Sequence, residues 1–242
     1  RFSYYENKQL LNDFVRNLNQ KTYEEINDFF REYIYKVDNY EGSILSSVIK
    51  PHIDINRVCP PYIKEPNLKK YSLVLDLNET LINFKLTKGN QGLVRTRPFL
   101  FEFLENIGKF YEIISFTCST QNYTDSIVKA IEVKKKYFDY IFCRQHTITM
   151  KNDFVKDLTR IGRPLDSIII VDNMPQNFRL QKENGINIKS FWGDNSEDKA
   201  LYDLIPILIS IANEKIDVRE GLVKYKDEIV KKITSNISKN DI

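Results

Sequence analysis

Histidine and cysteine are scarce in this sequence. Its 242 residues include two histidines, His52 and His146, and three cysteines, Cys59, Cys118 and Cys143. Two histidines are a poor basis for an imidazole zinc site or a histidine-centred triad. The cysteines do not pair evenly and lack metal-ligand spacing, so they read as reduced thiols in an intracellular compartment. Whether that compartment is nucleus or cytoplasm is not written in the chain. Long apolar runs are also missing. The longest, Leu204 to Ala212, contains Pro206 and is too short to span a bilayer. No signal peptide is visible, and a first residue of Arg1 implies a native start further upstream. Without a secretory signal, Asn122-Tyr123-Thr124 and Asn236-Ile237-Ser238 read as chance matches to the glycosylation pattern. The net charge is only +3. That gives no case for direct nucleic-acid binding, while a weakly basic surface suits an acidic, phosphorylated protein.

What is present supports one domain with an appendage, since the chain is 42% hydrophobic and 29% charged. Leu10, Leu11, Phe14, Val15 and Leu18 recur at helical spacing, as do Ile26, Phe29, Phe30, Tyr33, Ile34 and Val37. Residues 1–60 are therefore expected to form a helical N-terminal extension, either a cap on the main domain or a docking surface for a protein partner. Cys59-Pro60-Pro61 and then Pro66 mark a linker.

Residues 61–242 form the second unit. Strands are expected at 71–77, 111–117, 167–172 and 186–191, with helices at 98–108, 120–132, 198–213 and 217–234. Short irregular strands are expected between Tyr137 and Met150. Near-continuous apolar strands separated by helices imply an α/β fold with a parallel sheet covered on both faces. Cys118 reads as a packed thiol and Trp192 as packing rather than a stacking platform.

Three of these strands end in residues that handle phosphate and metal. The first ends at Asp76, the second at Thr117 with Cys118 and Ser119 following, and the third at Asp172-Asn173. Ahead of the third, Phe154-Val155-Lys156-Asp157-Leu158 offers a lysine in a partly apolar setting. In one parallel sheet these ends converge on one edge. A carboxylate can attack phosphorus to give an aspartyl-phosphate, but anion attack on anion needs a cation between them. Asp76 and Asp172 could hold Mg2+, with a lysine and a threonine binding the remaining phosphoryl oxygens. The residue two beyond the nucleophile would handle the proton. Here it is Asn78, which has none to give.

These segments carry a resemblance. Asp76-Leu77-Asn78-Glu79-Thr80-Leu81, Phe116-Thr117-Cys118-Ser119, Phe154-Val155-Lys156-Asp157-Leu158 and Val171-Asp172-Asn173 resemble the four motifs of the haloacid dehalogenase superfamily. They resemble more narrowly the small phosphatases of the RNA polymerase II C-terminal domain, the NLI-interacting-factor family. Arg97-Pro98, Gly162-Arg163, the Phe178–Phe191 stretch and Leu204-Ile205-Pro206 extend the likeness over about residues 70–220.

The resemblance implies a haloacid-dehalogenase-like, Rossmann-like parallel sheet flanked by helices, carrying Mg2+-dependent phosphoprotein (Ser/Thr) phosphatase activity. It makes Asp76 the nucleophile, and Thr117 and Lys156 the phosphate binders. Mg2+ would be held by Asp76, Asp172 and the backbone carbonyl of Asn78. Asn173 would order the site and Thr80 steady its loop, while Tyr123 and Arg144 align more loosely with substrate-contacting positions.

Two departures stand against the family pattern. The family has aspartate where this chain has Asn78, and loss of one general acid–base group costs about 10²–10⁴-fold in rate. That loss should be worst for seryl and threonyl leaving groups and milder for an aryl phosphate. Residues 82–96 are also shorter than the insertion with which relatives read a proline-containing polymerase peptide. The expectation is a phosphatase in an inactivated or trapping form. The alternative is a native pseudophosphatase that binds phosphorylated partners or acts as a scaffold.

Overall fold

The computed structural model describes residues 60–86, 92–150 and 153–234. The expected N-terminal helices, His52, Cys59 and Asn236 lie outside the described residues. The central sheet has the strand order β5-β4-β1-β8-β9. Its strands are β1 (Tyr71–Leu75), β4 (Tyr111–Phe116), β5 (Tyr140–Phe142), β8 (Ile168–Asp172) and β9 (Gly185–Asn187). Every pairing in it is parallel, as the unbroken apolar runs require. Two antiparallel hairpins stand beside it: β2 (Ile82–Leu86) with β3 (Gly92–Thr96), and β6 (Ile148–Met150) with β7 (Asp153–Val155).

Alternation along β1 divides its side chains between two cores. Leu73 and Leu75 join the larger one, Val74 the smaller. The larger core takes the apolar residues of all five described helices: α1 (Leu100–Ile107), α2 (Gln121–Ile131), α3 (Ala200–Glu214), α4 (Val218–Lys224) and α5 (Lys226–Lys232). The smaller is closed without an α-helix, by Ile63, Ile161 and two residues of short 3-10 turns, Leu158 and Phe178. Each fully buried leucine or isoleucine here contributes about 1.5–3 kcal/mol. The sheet is thereby fixed as the rigid base of whatever its strand ends carry.

Several expected elements are shorter in the structure, each for a local reason. β1 stops at Leu75 instead of residue 77, because the carbonyl of Leu77 turns to accept from the N–H groups of Leu81 and Ile82. β9 is three residues long. Beyond it, Lys189 donates to Ile233 and Phe191 to Glu79, which draws the chain off the sheet edge. α1 begins at Leu100 because Phe99 has φ 64°, a left-handed conformation no helix continues through. α3 begins at Ala200, with Asp198 accepting from the Ala200 N–H in front of it. The single helix expected at 217–234 is two, α4 and α5, broken at Tyr225 (φ −97°, ψ 11°), whose hydroxyl donates to Glu214 at 2.6 Å.

Gly162 closes the loop under the smaller core. Its φ is +93°, and a Cβ there would lie 2.2 Å from the carbonyl oxygen of Ile63. Next to it, Arg163 forms a buried two-pronged contact with Glu112 at 2.7 and 2.8 Å. Among the described residues no helix is long and apolar enough to cross a membrane.

Candidate active site

The register of β1 on β8 pairs Leu75 with Val171, so the next residues, Asp76 and Asp172, leave the sheet side by side. Asp172 closes β8, and Asp76 lies one residue beyond β1, its N–H still donating to the Val171 carbonyl at 3.0 Å. Lys156 follows β7. Its Nζ stands 2.7 Å from Asp76 Oδ1 and 2.6 Å from Asp172 Oδ2. All three side chains are buried. The triad therefore carries two carboxylates against one ammonium, a surplus of one negative charge where water is scarce.

The electrostatics follow from that imbalance. Burial pushes the Asp76 carboxyl up to about 6, with Lys156 opposing and Asp172 adding to the rise. For Lys156 burial acts downward, but Asp172 and Asp76 outweigh it and hold the ammonium firmly protonated. A carboxylate short of compensating charge is what a cation would relieve. The two carboxylates are hard oxygen donors of the kind Mg2+ takes alongside several waters. Among the described residues no group of three or more histidine, cysteine or acidic side chains is placed to hold a metal ion, so a cation here would rest on the two carboxylate side chains and water.

Thr117 stands at the end of β4, buried, its N–H bonded to Phe142. Its Oγ1 accepts from the Ser119 N–H at 3.2 Å, which leaves its own proton to donate to a phosphoryl oxygen. Thr80 and Asn173 lock together: the Asn173 N–H donates to Thr80 Oγ1 at 3.2 Å and the Thr80 hydroxyl to Asn173 Oδ1 at 3.3 Å. Asn173 also donates to Glu79 and Ser190. Glu79 has φ 60°, a strained conformation for a side-chain-bearing residue. It is held there by bonds from its N–H to Ile82 and from Phe191 to its carbonyl.

Asn78, half-buried, is fixed on both sides. The Tyr123 hydroxyl donates to its Oδ1, and its Nδ2 donates to Ser119 Oγ at 2.9 Å. Burial, with Asp76 and Glu79 adding to it, pushes Tyr123 up to about 12, so the hydroxyl keeps its proton. Arg144 donates through Nε to the Cys118 carbonyl at 2.8 Å and through its N–H to Ser119, and its guanidinium lies 4.8 Å over the Phe154 ring. The structure thus brings all nine sequence-derived candidates to one strand-end edge, the loosely aligned Tyr123 and Arg144 included. Burial pushes the Cys118 thiol up to about 11, which fits a packed thiol. Trp192 is more than half exposed, a surface residue.

Sequence reading missed two supports. Asn177 donates its side-chain amide to both oxygens of Asp172, and its carbonyl accepts from the Lys156 N–H at 2.6 Å. No pattern in the sequence marks it. Arg97 is fully buried; it grips Asp198 at 3.1 and 2.9 Å and donates to the Thr80 carbonyl at 3.0 Å. Its place beside Pro98 was visible in the sequence, but its partner a hundred residues away was not.

Residues 71–219 match the NLI interacting factor-like phosphatase family, and the chain belongs to it. A CTD small phosphatase-like protein 2 from Dictyostelium discoideum is 36% identical over 175 residues, covering 66% of this chain and 30% of that protein. A CTD small phosphatase-like protein 3 from Caenorhabditis elegans is 34% identical over 200 residues, covering 76% of this chain and 69% of that protein. The matched part is thus less than a third of the first relative and about two thirds of the second. A solved fission yeast RNA polymerase II CTD phosphatase, Fcp1, bound to beryllium fluoride, overlaps with a TM-score of 0.43 at 16% identity, over 70% of this chain and 58% of that one.

Proposed function

We propose that the protein is a Mg2+-dependent phosphoprotein phosphatase of aspartyl-phosphate type, slowed by Asn78 at the steps that move a proton. The observation that carries this reading is Lys156 Nζ bridging Asp76 and Asp172 at 2.7 and 2.6 Å, with all three side chains buried. Asp76 is the nucleophile. Lys156 and Thr117 hold the phosphoryl oxygens. Asp76, Asp172 and the carbonyl of Asn78 would hold Mg2+, which when bound supplies the charge that lets one anion approach another. Asn173, Thr80 and Asn177 keep these groups in register.

Asn78 keeps the volume and hydrogen bonding of an acid–base residue without its proton. Phosphate binding survives, while a seryl or threonyl oxygen loses the proton it needs to leave, so turnover of phosphoserine or phosphothreonine drops by about 10²–10⁴-fold. Restoring the proton with Asn78→Asp is expected to raise Mg2+-dependent hydrolysis of a phosphoserine peptide at least tens-fold. An unchanged rate rejects the role given to position 78. Asp76→Asn in that background is expected to abolish turnover.

Asn78 favours a second reading, a pseudophosphatase that binds phosphorylated partners. Calorimetry with phosphorylated and unphosphorylated forms of one peptide tests it, and equal affinities reject phosphate recognition. Residues 1–60 are proposed as a partner-docking extension. Deleting them should then leave a soluble chain with unchanged phosphate chemistry.

A further inference from the structure

We propose that the site takes an aryl phosphate, the phosphotyrosine side chain of a protein, in preference to phosphoserine or phosphothreonine; this rests on the phosphatase reading above. Two independent features meet at Asn78. The first is chemical. Both ends of its amide are engaged, by Tyr123 and by Ser119, and neither end carries an ionisable proton. A leaving oxygen there must depart unassisted. A phenol does so near pKa 10, about six units below water and simple alcohols. A seryl or threonyl oxygen does not.

The second feature is shape. Phe84, on β2 directly after the nucleophile loop, meets Tyr123 edge to face, with ring centroids 5.4 Å apart and an interplanar angle of 87°. Tyr123 is the residue bonded to Asn78, so the pair forms an aromatic wall at the point where the leaving group departs. Both rings are half-buried, each packed on one side against the larger core. A phenyl ring entering with its phosphate toward Lys156 and Thr117 would find edge and face contacts there. A serine side chain would reach neither ring.

The steps balance. A carboxylate oxygen of Asp76 forms a bond to phosphorus, and the bond from phosphorus to the phenolic oxygen breaks. The phenolate leaves with that electron pair and takes a proton from solvent. Water then attacks phosphorus, the bond to Asp76 breaks with its pair returning to the carboxylate, and the water proton passes to solvent. Asn78 assists neither half; the phenolate needs no proton to leave, but the attacking water must lose one without a base, so phospho-Asp76 accumulates.

The test uses phosphotyrosine and phosphoserine versions of one peptide with the full chain and Mg2+. The expected result is a burst of about one equivalent of dephosphorylated tyrosine peptide followed by slow turnover. No burst is expected from phosphoserine, and kcat/KM should differ by about 100-fold or more, within the range of one acid–base group. Asn78→Asp should shrink that ratio to within about tenfold by speeding phosphoserine. A ratio near one in the unaltered chain, with Asn78→Asp active on phosphoserine, overturns this inference and leaves the phosphatase reading standing. Inactivity of both forms on both peptides overturns the two together. Binding gives a separate readout. Calorimetry with phenylphosphonate and methylphosphonate should show tighter phenylphosphonate binding, lost in Phe84→Ala or the more conservative Phe84→Leu. Equal affinity for the two phosphonates in the unaltered chain discards the aromatic wall.

Discussion

The side-chain amide of Asn177 donates to both carboxylate oxygens of Asp172, at 3.1 Å each. Together with the Met174 N–H at 2.8 Å, it fixes which way the carboxylate faces and leaves Oδ2 toward Lys156. Removing the amide frees the carboxylate to rotate. Asn177→Ala is therefore expected to weaken Mg2+ binding by about 10–100-fold, the usual cost of losing a group that orients a metal ligand. The Asn177 carbonyl that receives Lys156 is retained in this variant, so circular dichroism should not change. Calorimetric Mg2+ titration checks it.

A second prediction concerns charge. Asp76 sits above its ordinary 3.8, at about 6, chiefly because burial disfavours its anion. An acid whose pKa rises on folding favours the folded state only while protonated. That contribution is full below about 3.8 and is lost as pH rises through about 6. The rise is worth on the order of 3 kcal/mol. Without Mg2+, Asp76→Asn should accordingly be more stable than the parent at pH 8, with the gain fading below pH 4. Urea unfolding at both pH values, in chelator, measures it. Added Mg2+ should reverse the ranking, because only the parent keeps both carboxylates.

Arg97 and Asp198 supply a third. Both are buried, and the arginine also donates to the Thr80 carbonyl, tying α3's entrance to the nucleophile loop. Arg97→Met strands a buried carboxylate and should cost about 3–5 kcal/mol. Arg97→Met with Asp198→Leu removes both charges and should recover part of that loss. Chemical denaturation of the two variants separates an unpaired charge from lost packing.

The legible parts of this molecule were those with short-range signatures. The apolar runs 71–75 and 168–171, each followed by aspartate, announced parallel strands delivering Asp76 and Asp172. Even the proton-handling gap at Asn78 was visible as a residue type. Pairings across long stretches of chain were not: Arg97 with Asp198, Glu112 with Arg163, Asn177 with the Lys156 N–H. Boundaries failed where a tertiary bond outvoted local propensity, as at Tyr225, whose hydroxyl reaches Glu214 and divides one amphipathic stretch into α4 and α5. The β2–β3 hairpin was read only as a short insertion, although Phe84 on it faces Tyr123 and so borders the site.

Gly162 gives the last prediction, and it tests the floor under the lysine. Its φ of +93° lies where side-chain-bearing residues are strained, and any Cβ would meet the Ile63 carbonyl oxygen at 2.2 Å. The obstacle is backbone, so it cannot swing aside. The loop ahead of it contains Leu158 and Ile161, which fill the smaller core just after Lys156. Gly162→Ala should therefore destabilise the domain by at least about 1–3 kcal/mol, the range for a strained backbone position. It should also break the Ile63 N–H bond to the Ile161 carbonyl, now 2.9 Å. Hydrogen exchange at Ile63 reports that bond directly. Faster exchange there, with the β1 and β8 amides still protected, is the expected pattern; unchanged exchange and stability would mean the loop can move away from Ile63 without cost.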